Sequence, residues 1–119
     1  MAENAQQTLA DAHARRIAGD YEEACRLYRL LLEGNEALSE AWWGLGLSRM
    51  NLGEFEESIA DLEKATALEP RSQRYLLDLG KHQTMLGMYD EAKPIFERII
   101  EIDDTSREAD EARNQLRYC

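Results

Sequence analysis

Gly19-Asp20-Tyr21-Glu22-Glu23-Ala24 returns as Gly53-Glu54-Phe55-Glu56-Glu57-Ser58 and again as Gly87-Met88-Tyr89-Asp90-Glu91-Ala92. The glycines stand 34 residues apart. At the same step the bulky Tyr28, Leu62 and Phe96 follow Ala24, Ser58 and Ala92 by four positions, which puts each pair on one helix face. A fixed period of this length marks a repeat architecture. Its register divides the chain at 5–38, 39–72 and 73–106.

Each repeat reads as two helices about one turn. In the second, Trp42, Leu45, Gly46 and Leu52 form an apolar stripe at helical spacing and Gly53 ends the helix. Ile59, Leu62, Ala65, Thr66 and Leu68 stripe the next helix until Pro70 stops it. The acidic pairs Glu22-Glu23, Glu56-Glu57 and Asp90-Glu91 fall in the first turn of each second helix, where carboxylates meet the positive end of the helix dipole. Asp20 and Glu23 have the spacing of a capping box. Recurrence at a helix start favours this structural role over a catalytic or metal-binding one. Residues 107–117 continue as a charged helix with Ala109, Ala112 and Leu116 on one face, the pattern of a cap over the last repeat.

The pattern resembles the tetratricopeptide repeat, whose signature is Trp-x2-Leu-Gly-x2-Tyr, then Ala-x3-Phe, then Pro. The second repeat supplies Trp42, Leu45, Gly46, Ser58, Leu62 and Pro70, and the third supplies Leu76, Leu79, Gly80, Ala92 and Phe96. The first is worn at its start, where Thr8 and Asp11 replace large apolar residues and Ala12 keeps the small one, as a repeat with one neighbour fewer tolerates. Arg15, Arg49 and Gln83 occupy the Tyr slot, with stems expected to cover apolar surface while their heads reach water. Pro94 falls about one turn into a second helix, and Gly34-Asn35 replaces the usual Pro as a helix stop. The implied fold is all-α: a right-handed α-solenoid of three helix-turn-helix repeats with a C-terminal capping helix.

Composition narrows the function. The 119 residues carry 14 Lys plus Arg against 24 Asp plus Glu, a net charge of -10 spread over all three repeats. That balance disfavours nucleic acid and anionic membrane surfaces, which are held by basic side chains. No apolar run approaches the ~18 residues of a membrane span, and the first residues are not those of a secretory signal. The expectation is one cytoplasmic domain over 1–119, three repeats and a cap, without room for a catalytic domain. His13 and His82 sit in different repeats, and Cys25 and Cys119 form no close pair. No metal-ligand spacing and no phosphate-binding glycine pattern accompanies them, so no catalytic residue, metal or cofactor is expected.

Function in the family lies on the concave surface made by the first helices, where a peptide or partner helix rests. The resemblance places there the rows Leu9, Trp43, Leu77; His13, Leu47, Lys81; and Arg16, Met50, Thr84, flanked by Ile17, Asn51 and Met85. Trp42 belongs to the core by the signature, so its neighbour Trp43 faces elsewhere, either toward the groove or packed between the first helices of adjacent repeats. The clamp with which some members hold a chaperone's C-terminal carboxylate would occupy Leu9, His13, Gly44, Arg74 and Asp78. Only Arg74 there carries the needed charge, so a carboxylate-ended ligand is not expected. The peptide-binding set is Leu9, His13, Trp43, Leu47, Met50, Arg74, Leu77 and Lys81, on a non-enzymatic scaffold for a protein or peptide with apolar anchors. Two other readings stand beside it. One is a chaperone of the type III secretion translocator kind, which the Leu45-Gly46-x2-Arg49 stretch resembles, although such chaperones usually carry an extra N-terminal helix. The other is a self-associating module.

Overall fold

The computed structural model describes residues 2–119, with side chains from residue 4 onward. Among the described residues there are seven helices and no strand: α1 (Ala2–Ile17), α2 (Tyr21–Gly34), α3 (Ser39–Asn51), α4 (Phe55–Leu68), α5 (Gln73–Met85), α6 (Tyr89–Ile102) and α7 (Arg107–Leu116). They fall into two compact units, Met1–Leu68 and Glu69–Cys119. The first unit holds two of the expected helix pairs, and the second holds the third pair with the capping helix.

The turn inside each pair is set by its glycine. Gly19, Gly53 and Gly87 have φ of 86°, 81° and 77°, a left-handed conformation that only glycine adopts at little cost. The next residue then donates back across the helix end: Asp20 N to Arg15 O at 2.8 Å, Glu54 N to Arg49 O at 2.9 Å and Met88 N to Gln83 O at 2.8 Å. These bonds satisfy carbonyls that the helix end would leave orphaned. The capping box expected at Asp20 does not form. Asp20 makes no side-chain cap bond, because its carboxylate faces Arg15 at 3.6 Å and Glu23 is taken by Arg26 at 2.7 Å. Side-chain caps are made instead by Ser72, which accepts from Tyr75 N at 3.2 Å, and Ser106, which accepts from Ala109 N at 2.9 Å.

Within each pair the helices touch where the sequence carries its smallest residue. A Cβ on Gly46 would lie 2.9 Å from Leu62 Cγ, and one on Gly80 would lie 2.7 Å from the Phe96 ring. In the first pair Ala12 and Tyr28 share one buried cluster. Ser58 uses the closeness: its hydroxyl donates to Gly46 O at 2.8 Å.

The core of the first unit joins α1, α2 and α3 through Ala12, Ala24, Cys25, Tyr28, Leu31 and Leu45, with Trp42 packed at its edge. That of the second joins α5, α6 and α7 through Leu76, Leu77, Phe96, Ile99, Ala109 and Ala112, so the capping helix buries its alanine face as expected. Gln73 ties the start of α5 to the end of α6, its Nε2 donating to Ile99 O and Asp103 O, both at 2.9 Å. Pro94 lies on the exposed side of α6, where the helix runs through it.

The Tyr-slot residues behave less uniformly than their sequence suggests. Arg15 is exposed. Arg49 turns inward, its Nη1 donating to both oxygens of buried Asp61 at 3.0 and 3.2 Å. Gln83 is buried with its Oε1 unpaired, so its head does not reach water.

Two outcomes follow from this packing. Gly80→Ala forces its new methyl against Phe96 and is expected to cost about 1–3 kcal/mol, read as a lower midpoint in urea unfolding; an unchanged midpoint would show that the pair has slack. Burial pushes the Asp61 carboxyl up to about 6 against the opposing pull of Arg49, above the ~3.9 of an unfolded chain. A raised folded value favours the protonated form, so the associated stability is full below about pH 4 and is lost as pH rises through 6. On acidification from pH 7 to 5 the wild-type midpoint should therefore climb relative to that of Asp61→Asn, and parallel curves would contradict it.

Candidate functional site

The first-helix face of the first unit is built from α1 and α3, which pack on each other. Its centre is fixed by a glycine outside any turn. Gly44 leaves room for Tyr28 of α2, whose ring a Cβ at that position would strike. Tyr28 is fully buried, and its hydroxyl emerges beneath α1. There it lies 2.5 Å from His13 Nδ1 and accepts from Arg16 Nε at 3.1 Å. Burial raises the Tyr28 hydroxyl's pKa, opposed by the Arg16 hydrogen bond.

His13 bridges to the next repeat, its Nε2 standing 2.7 Å from Glu40 Oε2. An ionised carboxylate only accepts, so Nε2 carries a proton. In the neutral ring Nδ1 is then an acceptor, and the Tyr28 hydroxyl donates to it. Above this chain sits Trp43, with His13 edge-on to it at 6.0 Å and the Arg16 guanidinium 4.8 Å from its ring centroid. A cation over an indole adds roughly 0.5–2 kcal/mol.

The expected residues divide accordingly. Leu9, His13 and Leu47 are half-buried on this face and retain accessible surface. Trp43 is 4% exposed and Met50 is also buried, a correction to the expectation that both open onto a groove. Trp42 packs against the core as expected, yet it is the less buried of the two tryptophans. Its Nε1 donates to Glu36 O at 2.8 Å and its ring lies 5.9 Å from Lys64 Nζ, while Trp43 closes over His13 and Arg16. In the second unit Arg74 is exposed, and Lys81 binds Glu111 of α7 at 3.0 Å. Leu77, expected on a groove, is buried in that unit's core. Sequence reasoning missed Glu40 and the hydroxyl of Tyr28. Gly44 was their available signal, because a mid-helix glycine marks a close approach.

Among the described residues no group of three His, Cys, Asp or Glu side chains could hold a metal ion, and no helix is long and apolar enough to cross a membrane. Both cysteines are free; burial raises the thiol pKa of Cys25.

Tyr28→Phe removes the acceptor of Arg16 and the donor to His13, leaving two partners unmet. It should lower stability by about 1–3 kcal/mol and move the His13 Nδ1 ¹⁵N signal, which loses its hydrogen bond, while Nε2 stays with Glu40. Unaltered imidazole shifts would show that Tyr28 does not hold the ring.

The tetratricopeptide repeat model matches residues 49–116. Protein SGT1 homolog of Oryza sativa subsp. japonica is 30% identical over 86 residues, covering 72% of this chain and 23% of that protein, so the chain spans about a quarter of this relative's length. Among solved structures, the type III secretion chaperone SycD of Yersinia enterocolitica in complex with a peptide of the translocator YopD superposes with a TM-score of 0.89 at 18% identity, covering 98% of this chain and 92% of that one. The first tetratricopeptide repeat domain of Spaghetti (RPAP3), bound to the HSP90 peptide SRMEEVD, gives 0.87 at 21% identity, with 99% and 91% covered. The fold is thus an all-α solenoid of such repeats, and with more than half of its length matched, the chain belongs to the tetratricopeptide repeat family.

Proposed function

We propose that this chain is a non-enzymatic interaction module, acting as one domain over 1–119, that holds a peptide or partner helix against its first helices. The observation that carries the reading is the α1/α3 face of the first unit. There Leu47 and the 77%-exposed Ile17 offer apolar surface beside polar groups already locked by His13, Glu40, Tyr28 and Arg16. Such a face recognises an apolar anchor without having to order itself first. Leu9 extends the apolar strip, and Trp43 and Met50 shape it from beneath. In the second unit Leu77 lies in the core and Lys81 is held by Glu111, so the face proposed to bind is that of the first unit.

The ligand differs from the one carried by the Spaghetti neighbour. A terminal carboxylate needs amide and cationic donors, and the corresponding positions hold Leu9, His13, Gly44, Arg74 and Asp78. Gly44 offers no side chain, and Asp78 repels the ligand's charge. The secretion-chaperone reading is the second one, favoured by the likeness to SycD in complex with a translocator peptide. It predicts that co-expression keeps an otherwise insoluble membrane-active protein in solution. The acidic surface suits a cytoplasmic protein that leaves nucleic acids and anionic membranes unbound.

The test is affinity capture with the full chain, with bound proteins identified by mass spectrometry. Ile17→Lys combined with Leu47→Lys should lower recovery of the specific partner at least tenfold while the helical circular dichroism signal stays the same; undiminished recovery refutes the α1/α3 face as the binding surface.

A further inference from the structure

The 34-residue register allows one repeat to be laid on the next. Trp42 of the second repeat then corresponds to Thr8 of the first, Leu68 to Gly34, and Lys64 to Leu30. In the second repeat the indole fills the space at this corner, resting against the core, with Nε1 bonded to Glu36 O and Lys64 beside its ring. The first repeat has a threonine and a glycine there, and among the described residues no other side chain fills the gap.

What remains is a cleft of about 500 Å³ between the start of α1 and the end of α2, a size typical of small-ligand sites. Leu9, Leu31 and Leu38 line it beside Thr8 and Gly34, and Leu30 forms one wall while 51% exposed. Where the second repeat places a lysine over its indole, the first places a leucine, so the cleft buries no charge. A Cβ on Gly34 would meet nothing within 4 Å, which marks open space on that side.

We propose that this cleft receives a tryptophan side chain presented by a different protein, seated as Trp42 is seated one repeat later. The internal repeat supplies the shape: the same helix pair, one step along, seats an indole at its edge. Asn4 and Asn35 at the mouth provide carbonyl oxygens for the indole N–H, the role that Glu36 O plays for Trp42. A second copy of this chain is a poor source of the ring. Of its two tryptophans, Trp43 is closed beneath Arg16, and Trp42 is held by its hydrogen bond at the core's edge. Leu9 is shared with the α1/α3 face, whereas Leu30 and Leu38 belong to the cleft alone, so their signals report this site separately from the function proposed above.

The probe is N-acetyl-tryptophanamide, titrated into the full chain while leucine methyl signals are followed by NMR. Saturable shifts at Leu9, Leu30 and Leu38 are expected, and N-acetyl-alaninamide should leave them unmoved. Thr8→Trp fills the cleft from within and should abolish the shifts. Leu30→Glu, a change at a half-exposed wall, should weaken the probe at least fivefold and serves where Thr8→Trp fails to fold. Absence of saturable shifts, equal shifts from the alanine probe, or undiminished binding to Leu30→Glu would overturn the proposal. So would a mass that doubles with concentration while the same methyl signals move without probe, since that assigns the cleft to a second copy.

Discussion

The distance between the two helices of each pair governs the rest of the structure. At Gly46 and Gly80 the backbone of the first helix comes so near Leu62 and Phe96 that even a methyl group would collide. Helices this close cannot slide by a turn without driving a larger residue into the contact, so a single glycine fixes both their separation and their register. The turn glycines act on the same quantity from the other end: their left-handed φ brings the chain back at once. Repetition every 34 residues then gives each pair the same geometry, which lets comparable side chains reappear on comparable faces.

That regularity makes the exceptions informative. Gly44 departs from its counterparts Ala10 and Asp78, and the space it opens is filled by a tyrosine from the preceding repeat. The hydroxyl so delivered holds His13 and Arg16, which in turn hold Glu40 and cover Trp43. A backbone close approach is thereby converted into a polar network on the α1/α3 face. Every side chain in the network has its partner before a ligand arrives, so binding there costs less side-chain entropy than on a loose surface.

Much of this was legible in the sequence. The helix pairs, the turn glycines and the capping helix follow from a period that three copies enforce. The failures lie where one residue's fate depends on a neighbour outside its own repeat. Trp42 and Trp43 are adjacent, and periodicity alone does not say which side of α3 is better covered; Arg16 and His13 decide it by closing over Trp43. Arg49 turns inward because Asp61 stands opposite, whereas Ile95 at the matching place in the third repeat gives Gln83 no partner. Asp20 and Glu23 have capping spacing, yet Arg15 and Arg26 compete for their carboxylates. In each case propensity and spacing are local, and the winning interaction is not.

The same competition defines what a ligand meets on the first-helix faces. Glu40 is engaged by His13, Lys81 by Glu111, and Arg16 by Tyr28 and Trp43. A ligand charge would have to displace one of these pairs and leave its partner unmet, which costs more than an exposed ion pair returns. Apolar surface faces no such competitor: Ile17 and Leu47 lose only water when covered. Recognition by this face therefore rests on apolar anchors of matching shape, with the polar network defining where they lie, and on the order of micromolar affinity, about -8 kcal/mol, is the natural scale for so few of them.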